Sequence, residues 1–189
     1  FNFDQIIISV GYMSEVITSY FGHEYLGIPI KYAFEKSALG TGGAVVNSLQ
    51  YCTSDKVMIM NGDTFVDVDF DNVIRHSILF SAPTIVAVYQ DSTDRFGFIK
   101  FNDDGLHVSE FLEKQESCSG FINSGVYIIS ANDILKCNFQ LPFSFEKCYL
   151  TQLVSRNSLV AYKHLGHFLD IGVPADYKYS SQFFANLTK

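Results

Sequence analysis

The chain has 189 residues, of which 48% are hydrophobic and 15% aromatic, and this composition can form a sizeable core without disulfides or a structural metal. The length predicts one domain, or one domain with a small lobe. The net charge of −7, from 13 basic and 20 acidic residues, argues against binding to duplex nucleic acid or to an anionic membrane surface, because such proteins carry basic patches. A small anionic ligand, held by a few basic side chains and backbone amides, is compatible with this charge.

The cysteines show no metal-binding or disulfide pattern. Four are present, and none has the Cys-x-x-Cys or Cys/His spacing of a structural zinc site: Cys52, Cys118, Cys137 and Cys148. We therefore expect free, buried thiols in a reducing cytoplasm. No apolar run reaches the length of a membrane span and no secretory leader is visible, so we expect a cytoplasmic protein that does not bind membranes.

Hydrophobic periodicity predicts alternating strands and helices. Apolar and β-branched runs predict strands over residues 5–10, 28–34, 57–60, 84–89, 98–101, 106–112, 120–129 and 159–162. Helical spacing predicts a short helix that Ser14 caps and Gly22 ends, a helix that ends at Leu49, and helices over residues 71–80, 131–135, 145–154 and 175–184. Residues 98–129 contain strands and turns with no helix between them, including a hairpin. This order predicts an α/β fold.

A carboxylate follows the third predicted strand. The apolar run 57–60 ends abruptly in Asn61, Gly62 and Asp63, residues that favour turns. In open α/β sheets, ligands bind outside the carboxyl ends of the strands. Asp63 is therefore a candidate for the place where a hard cation and a phosphate meet. The alternative is a plain strand–turn boundary with a solvated Asp.

The same pattern recurs near the end of the chain, where an apolar run delivers Asp170 into a turn at Gly172. Two carboxylates are the protein ligands that Mg²⁺ accepts beside substrate phosphates. Lys114 offers a point charge for a phosphate. Together these residues predict phosphoryl-type transfer by positioning and charge neutralisation, with no covalent nucleophile.

Three further groups could bind the remaining parts of a substrate. Glu113 and Asn123 offer partners for sugar hydroxyls, although Asn123 could equally mark a β-bulge. The glycine-rich segment 39–44 opens a helix, so that backbone amides could approach a ligand closely. The alternative for this segment is a flexible turn with an N-cap at Thr41.

A run of alternating carboxylates, Asp67, Asp69 and Asp71, resembles a calcium loop but does not fit one. Asn72 stands where that loop needs Gly, and Ile78 stands where it needs Glu. Asp67 and Asp69 also match the short Asp-x-Asp pattern of metal-dependent glycosyltransferases. We interpret the stretch as a loop and the acidic start of a helix.

Five motifs carry a resemblance to a known family. In order they are LGTGGA at 39–44, NGDT at 61–64, FLEK at 111–114, INSGVY at 122–127 and DIGVPADY at 170–177. The series resembles the sugar-1-phosphate nucleotidylyltransferases, which have a nucleotidyltransferase-like Rossmann fold. The segments 9–12 and 39–44 are most similar to the D-glycero-D-manno-heptose 1-phosphate guanylyltransferases of bacterial surface-polysaccharide pathways, with the mannose-1-phosphate guanylyltransferases close behind.

The resemblance implies a fold and a reaction. It implies a three-layer αβα arrangement with a mixed, mainly parallel central sheet and a small antiparallel sugar-binding subsheet. It implies that the sugar phosphate attacks the α-phosphate of a nucleoside triphosphate, with GTP the expected nucleotide, and releases pyrophosphate. The expected acceptor is D-glycero-D-manno-heptose 1-phosphate, and the protein could form a homo-oligomer.

The resemblance also implies a role for each matched residue. Asp63 and Asp170 would hold Mg²⁺ and, with Lys114 on the sugar phosphate, form the catalytic set. The substrate-binding set would be Leu39, Gly42 and Gly43 at the nucleobase, Gly97, Glu113 and Asn123 at the sugar, and Gly62 and Gly172 beside the two Asp residues.

One departure from the family pattern concerns the start of the chain. The family begins with a strand and a Gly-x-Gly-Thr-Arg loop, followed by Pro-Lys, which grip the triphosphate. This chain shows no such motif, so we expect a single domain, residues 1–189, that lacks its first strand and phosphate-binding loop. We expect little catalysis by residues 1–189 alone, and a homologue that binds nucleotide sugars without turnover is an alternative.

Overall fold

A computed structural model of the chain describes residues 3–91, 96–112 and 119–187. Two of the predicted site residues, Glu113 and Lys114, lie outside the described residues, as does Cys118. The chain divides into two compact units, residues 1–57 with 129–153 and residues 58–128 with 154–189. The organisation as a single nucleotidyltransferase-like domain stays a prediction.

The first unit is built around a three-stranded sheet, in which β3 lies between β1 and β2. Its elements are β1 (Ile6–Val10), α1 (Ser14–Phe21), β2 (Glu24–Tyr25), β3 (Ile28–Phe34), α2 (Gly40–Leu49), α4 (Ala131–Lys136) and a π-helical turn (Phe145–Leu150) that continues into α5 (Thr151–Ser155). β1 and β3 are parallel, with α1 in the crossover that parallel neighbours require. Val10 of β1 and Ala33 of β3 are buried in this unit.

The second unit is built around a larger sheet with the strand order β10-β6-β9-β7-β8, in which β4 also pairs with β9. Its elements are β5 (Thr64–Val66), α3 (Phe70–Phe80), β6 (Thr84–Gln90), β7 (Phe98–Phe101), β8 (Val108–Leu112), β9 (Gly120–Ser130), β10 (Val160–His164), β11 (Phe168–Asp170) and α6 (Pro174–Leu187), while β4 (Lys56–Met60) leads into it. β5 and β11 form a separate antiparallel pair. Val86 and Val88 of β6 pack with Ile122 and Val126 of β9 in the core of this unit.

The sheets are mixed, as the sequence predicts, but less parallel than expected. β1–β3 and β10–β6 are parallel, whereas the described pairings of β9 with β6 and β7, and of β7 with β8, are antiparallel. The predicted hairpin is thus an antiparallel part of the same sheet as β6 and β10. The physical reason is that β9, which is 11 residues long, pairs with strands on both sides.

Most predicted elements occur with ends shifted by a few residues. The three-residue strand β5 was not predicted, because it is too short to show a period. Ser14 is the first residue of α1 and does not cap it, since Met13 precedes the helix in a left-handed conformation. Cys52, Cys137 and Cys148 are free, as predicted, but they are partly exposed rather than buried. Within the described part of the chain, no helix is both long enough and apolar enough to span a bilayer.

Candidate active site

The pairing of β5 with β11 brings Asp63 and Asp170 together. Asp170 lies opposite Thr64 in this antiparallel pair, and Asp63 immediately precedes Thr64. The backbone N–H of Ile171 donates to the carbonyl oxygen of Asp63 at 2.8 Å, which extends the pairing by one bond. Two carboxylates that are distant in the sequence are thereby held at adjacent positions of one ribbon.

Gly172 lies next to both carboxylates. A Cβ added to this glycine would lie 3.0 Å from Asp63 Oδ2 and 3.1 Å from Asp170 Oδ1. The Gly172 N–H also donates to Asp170 Oδ1 at 2.9 Å, which orients that carboxylate. The missing side chain therefore leaves a small space that two acidic oxygens border. Asp63 is exposed and Asp170 half-buried, so a ligand can reach this space from solvent.

This arrangement fits a hard divalent cation that is shared with a substrate. Mg²⁺ is commonly held by one or two protein carboxylates together with phosphate oxygens and water. Across residues 3–91, 96–112 and 119–187, no group of three or more His, Cys, Asp or Glu side chains is placed to hold a metal ion. A site with two carboxylates is the open kind, in which the substrate completes the coordination.

Two hydrogen bonds fix the turn of Asp63 against β9. The Asn61 N–H donates to the carbonyl oxygen of Gly125 at 2.9 Å, and Thr64 Oγ1 donates to the carbonyl oxygen of Ser124 at 3.0 Å. Gly125 has a φ of +78°, and a Cβ there would lie 2.6 Å from the side-chain nitrogen Nδ2 of Asn61. Gly125 is thus required for this close approach. Sequence reasoning gave no role to Thr64 or Gly125, although both lie within the motifs that carry the resemblance.

Asn123 lies at an irregularity in β9. Its Oδ1 accepts a hydrogen bond from the Gly125 N–H at 3.0 Å, and its Nδ2 donates to the hydroxyl of the buried Tyr127 at 2.7 Å. The register between β6 and β9 shifts between Ile85 and Ala87, opposite this segment. The bulge that the sequence suggested is therefore present, and contact between Asn123 and a sugar hydroxyl stays a prediction.

Two further glycines of the predicted site show contrasting surroundings. Among the described residues, and apart from Gly62 itself, Asn61 and Asp63, no atom lies within 4 Å of the position that a Cβ would take on Gly62, so its backbone is open to a ligand. A Cβ on Gly97 would lie 2.5 Å from the carbonyl oxygen of Leu112, so only glycine fits there. The backbone role of Gly97 toward a sugar stays a prediction.

The glycine-rich segment of the first unit is closely packed. Gly42 and Gly43 of α2 are buried: a Cβ on Gly42 would overlap the ring of Phe143, and one on Gly43 would lie 2.7 Å from side-chain atoms of Leu141 and Leu39. Backbone bonds join the same segments, from the Gly42 N–H to Phe143 O at 3.0 Å and from the Phe143 N–H to Leu39 O at 3.1 Å. These glycines therefore allow the first turn of α2 to pack closely against the segment around Phe143. Contact between their backbone and a nucleobase stays a prediction.

Thr41 does not cap α2, which corrects the alternative offered by the sequence. Leu39 occupies the N-cap position without a side-chain bond. Thr41 Oγ1 donates to Glu146 Oε2 at 2.8 Å and accepts from the Phe145 N–H at 2.9 Å, while Ser144 Oγ donates to the same Glu146 oxygen at 2.9 Å. These bonds fasten the start of α2 to the π-helical turn.

The Asp-x-Asp pair has structural roles in the second unit. Asp69 caps α3, because its side chain accepts from the N–H groups of Asp71 and Asn72. Asp67 Oδ1 lies 2.8 Å from His164 Nε2. The two carboxylates are thus engaged with different protein groups, and this argues against a glycosyltransferase metal site.

Comparison with known proteins places the chain in a family. A family model named "Nucleotidyl transferase" matches residues 2–185. The chain belongs to this family. The match confirms the family and the enzyme class that the motifs predict, a nucleotidyltransferase.

Several relatives are similar over most of the chain. The D-glycero-alpha-D-manno-heptose 1-phosphate guanylyltransferase of Aneurinibacillus thermoaerophilus is 36% identical over 177 residues, covering 93% of this chain and 76% of the relative. The enzyme of the same name from Campylobacter jejuni is 35% identical over 173 residues, with coverage of 92% and 76%. The mannose-1-phosphate guanylyltransferase catalytic subunit beta of Xenopus tropicalis is 29% identical over 180 residues, and the chain spans 50% of its length.

Solved structures confirm the fold class. The crystal structure of HddC from Yersinia pseudotuberculosis superposes with a TM-score of 0.85 at 30% identity, over 97% of this chain and 80% of HddC. HddC complexed with GMP-PN gives a TM-score of 0.84 at 30% identity, over 96% of this chain and 79% of HddC. Enzymes of the family generally use a divalent metal, and the carboxylates around Gly172 fit one.

Proposed function

We propose that the protein transfers GMP from GTP to D-glycero-α-D-manno-heptose 1-phosphate and releases pyrophosphate. The observation that carries this proposal is the convergence of Asp63 and Asp170 on the space above Gly172, in a chain of the nucleotidyl transferase family. The choice of guanine and heptose is supported by the two relatives at 35–36% identity, which are heptose 1-phosphate guanylyltransferases, and by the complex of HddC with GMP-PN.

The two carboxylates would hold the divalent ion, for which we propose Mg²⁺. Such an ion neutralises phosphate charge and fixes the phosphates relative to the attacking group. Asp170 is oriented for this role by the Gly172 N–H, and Asp63 is held by the backbone bond from Ile171. The protein would therefore supply a preformed, open pair of oxygen ligands, which costs little reorganisation when substrates bind.

The remaining roles follow the family pattern residue by residue. Lys114 would bind the sugar phosphate, and Glu113, Asn123 and Gly97 would bind the sugar. The nucleobase would contact Leu39, Gly42 and Gly43, and Gly62 would lie beside the phosphates. In the reaction, an oxygen of the sugar phosphate forms a bond to the α-phosphorus of GTP while the bond from that phosphorus to the bridging oxygen of pyrophosphate breaks. No covalent enzyme intermediate is involved.

Two alternatives remain distinct from this proposal. A mannose-1-phosphate guanylyltransferase would use the same site with a hexose, but those relatives are 27–29% identical and about twice as long as the matched segment. A homologue that binds nucleotide sugars without turnover would not need two converging carboxylates. We further propose that the product enters bacterial surface-polysaccharide synthesis, as lipopolysaccharide or capsule precursor, in the cytoplasm, where GTP is available.

The test is pyrophosphate release by the full-length protein, with GTP as the nucleotide. We would compare heptose 1-phosphate, mannose 1-phosphate and no acceptor, each with Mg²⁺ and with a chelator. The expected result is Mg²⁺-dependent release that is fastest with heptose 1-phosphate. Asp170→Asn should lower the rate by about 100-fold or more, because one ionic ligand is lost, with the melting temperature nearly unchanged.

Faster release with mannose 1-phosphate would favour the hexose enzyme. Binding of GDP-heptose by the full-length protein without any release would favour the non-catalytic homologue. The variant Asp103→Asn, in an exposed hairpin turn of the same unit, is a matched control and should keep the full rate.

A further inference from the structure

A polar pocket of about 290 Å³ lies in the second unit, lined by residues 89–91 and 165–168. These two segments follow the last pair of the parallel strands β6 and β10, in which His164 lies opposite Val88. Beyond this pair the chain leaves β10, so a depression opens between the two strand ends. Carboxyl ends of parallel strands are the usual place for ligands in α/β proteins.

Strand alternation places this pocket beside Phe168. Gln90 lies on the same face of β6 as Val86 and Val88, because side chains two residues apart point the same way. Those valines belong to the core cluster against which Phe168 packs. Gln90 and Phe168 therefore lie on the same side of β6, next to this core cluster.

Phe168 also connects the pocket to the carboxylate pair. It lies two residues before Asp170 on β11, so both side chains share one face, about 7 Å apart along the strand. The ring of Phe168 meets the ring of Phe96 edge to face at 5.5 Å, and Phe96 precedes Gly97. A sugar that contacts Gly97 with its phosphate near Asp170 would thus lie beside Phe168, which also lines the pocket.

The loop that forms one wall of the pocket is held in place. A Cβ on Gly166 would overlap both His164 and Asp67, whose side chains meet at 2.8 Å. The Asp67 N–H also donates to the carbonyl oxygen of His167 at 3.2 Å. The wall is therefore preorganised, so that ordering it costs a ligand little.

The lining suits a neutral, hydroxylated group. It combines Gln90, Asp91 and His167 with Phe168, and residues 89–91 and 165–168 include no Lys or Arg. A phosphate would be repelled by Asp91, whereas hydroxyl groups can donate to the carboxylate and pair with the amide. The Gln90 Nε2 donates to Tyr89 O at 2.8 Å, which uses one of its two hydrogens.

We propose that this pocket receives the exocyclic, hydroxylated carbon chain of the acceptor sugar, and that Gln90 and Asp91 select a heptose over a hexose 1-phosphate by hydrogen bonds to its terminal hydroxyl. The inference rests on the proposed function, since it names the part of the site that recognises the acceptor sugar. A heptose has one more hydroxymethylene group than mannose. A site built to bond a hydroxyl discriminates strongly against an analogue that lacks it, because its polar groups are then left unpaired.

The experiment measures kcat/KM of the full-length protein for heptose 1-phosphate and for mannose 1-phosphate, with GTP and Mg²⁺. Gln90→Ala and Asp91→Ala should each lower the heptose/mannose ratio by about 10-fold, mainly through the heptose term. Asp103→Ala, an exposed carboxylate of the β7–β8 turn, is the matched control and should leave the ratio unchanged. Calorimetric binding of heptose 1-phosphate to the same variants provides a second readout that does not need turnover.

An unchanged heptose/mannose ratio of kcat/KM would overturn the inference. An equal loss with both acceptors is such a result, because a purely structural role affects both sugars alike. Absence of transfer to either sugar by the wild-type protein would instead contradict the proposed function. The binding measurement then decides the inference separately: weaker heptose 1-phosphate binding by Gln90→Ala, but not by Asp103→Ala, supports it, and equal binding overturns it.

Discussion

Asp63 and Asp170 each direct one carboxylate oxygen at the same point, the position that a Cβ would occupy on Gly172, at 3.0 and 3.1 Å. The pairing of β11 with β5 places Asp170 at this point, and the turn that precedes β5 places Asp63 there. The glycine is thus part of the site because it has no side chain. Its backbone N–H adds a direct bond to Asp170.

Gly172→Ala should therefore lower the activity of the protein while leaving it folded. The new methyl group would occupy the space between the carboxylates and force them apart, whereas no positive φ makes the substitution itself strained. We expect a loss of about 10-fold in pyrophosphate release, since the carboxylates must move by a few tenths of an ångström and catalysis is sensitive to the position of such groups. The melting temperature should change by only a few degrees.

The matched control for this variant is Gly11→Ala, where Glu35 Cβ is the nearest described atom outside residues 10–12 and lies 3.8 Å from the new methyl group. It should retain wild-type activity. Full activity of Gly172→Ala would show that the space above this glycine is not where the reacting groups are held.

Gly42→Ala should destabilise the first unit through its contact with Phe143. The added methyl group would overlap the Phe143 ring, and overpacking of this kind costs about 1–3 kcal/mol. Urea denaturation would measure the loss. Adding Phe143→Leu makes room, so the double variant should be more stable than the sum of the two single effects predicts. Strict additivity would contradict direct contact between these residues.

Thr41→Val should weaken the link between α2 and the π-helical turn. The substitution keeps the size of the side chain but removes the oxygen that accepts from the Phe145 N–H and donates to Glu146. We expect a loss of about 1 kcal/mol in the free energy of unfolding. Thr41→Ser keeps the hydroxyl and should lose less than Thr41→Val, and a larger loss in Thr41→Ser than in Thr41→Val would indicate that the methyl group, not the hydroxyl, matters.

Asp104 should make the β7–β8 hairpin sensitive to acid. Hydrogen bonds from the backbone N–H groups of Leu106 and His107, and then from the His107 side chain, lower the Asp104 pKa from 3.8 to about 2. Because the folded-state pKa is lowered, the carboxylate stabilises the fold above pH 3.8, and this contribution is lost as the pH falls through about 2.

The difference in melting temperature between wild type and Asp104→Ala should therefore shrink between pH 5 and pH 2. Asp103→Ala, which removes the neighbouring exposed carboxylate of the same turn, serves as the control. A difference that stays constant over this range would show that the charge of Asp104 contributes nothing to the hairpin.

The local sequence pattern determined much of the secondary structure of this protein. Runs of β-branched residues give β1, β3 and β6 nearly at their observed bounds, because strand formation and burial both depend on neighbouring residues of the same run. Sequence alone also placed Asp63 and Asp170 at strand ends, since turn residues follow both apolar runs. The five ordered motifs were sufficient for the family, which the comparisons confirm.

Tertiary structure decided what those residues contact. The three-residue pairing of β5 with β11 sets the two carboxylates beside Gly172, and β5 is too short to carry a period of its own. The burial of Gly42 depends on Phe143, about a hundred residues later, and Asp69 is committed to a helix cap rather than to a metal. Contacts between residues far apart in sequence leave no periodic trace in either partner, and the physical role of a glycine or a carboxylate is fixed only when its neighbours in space are known.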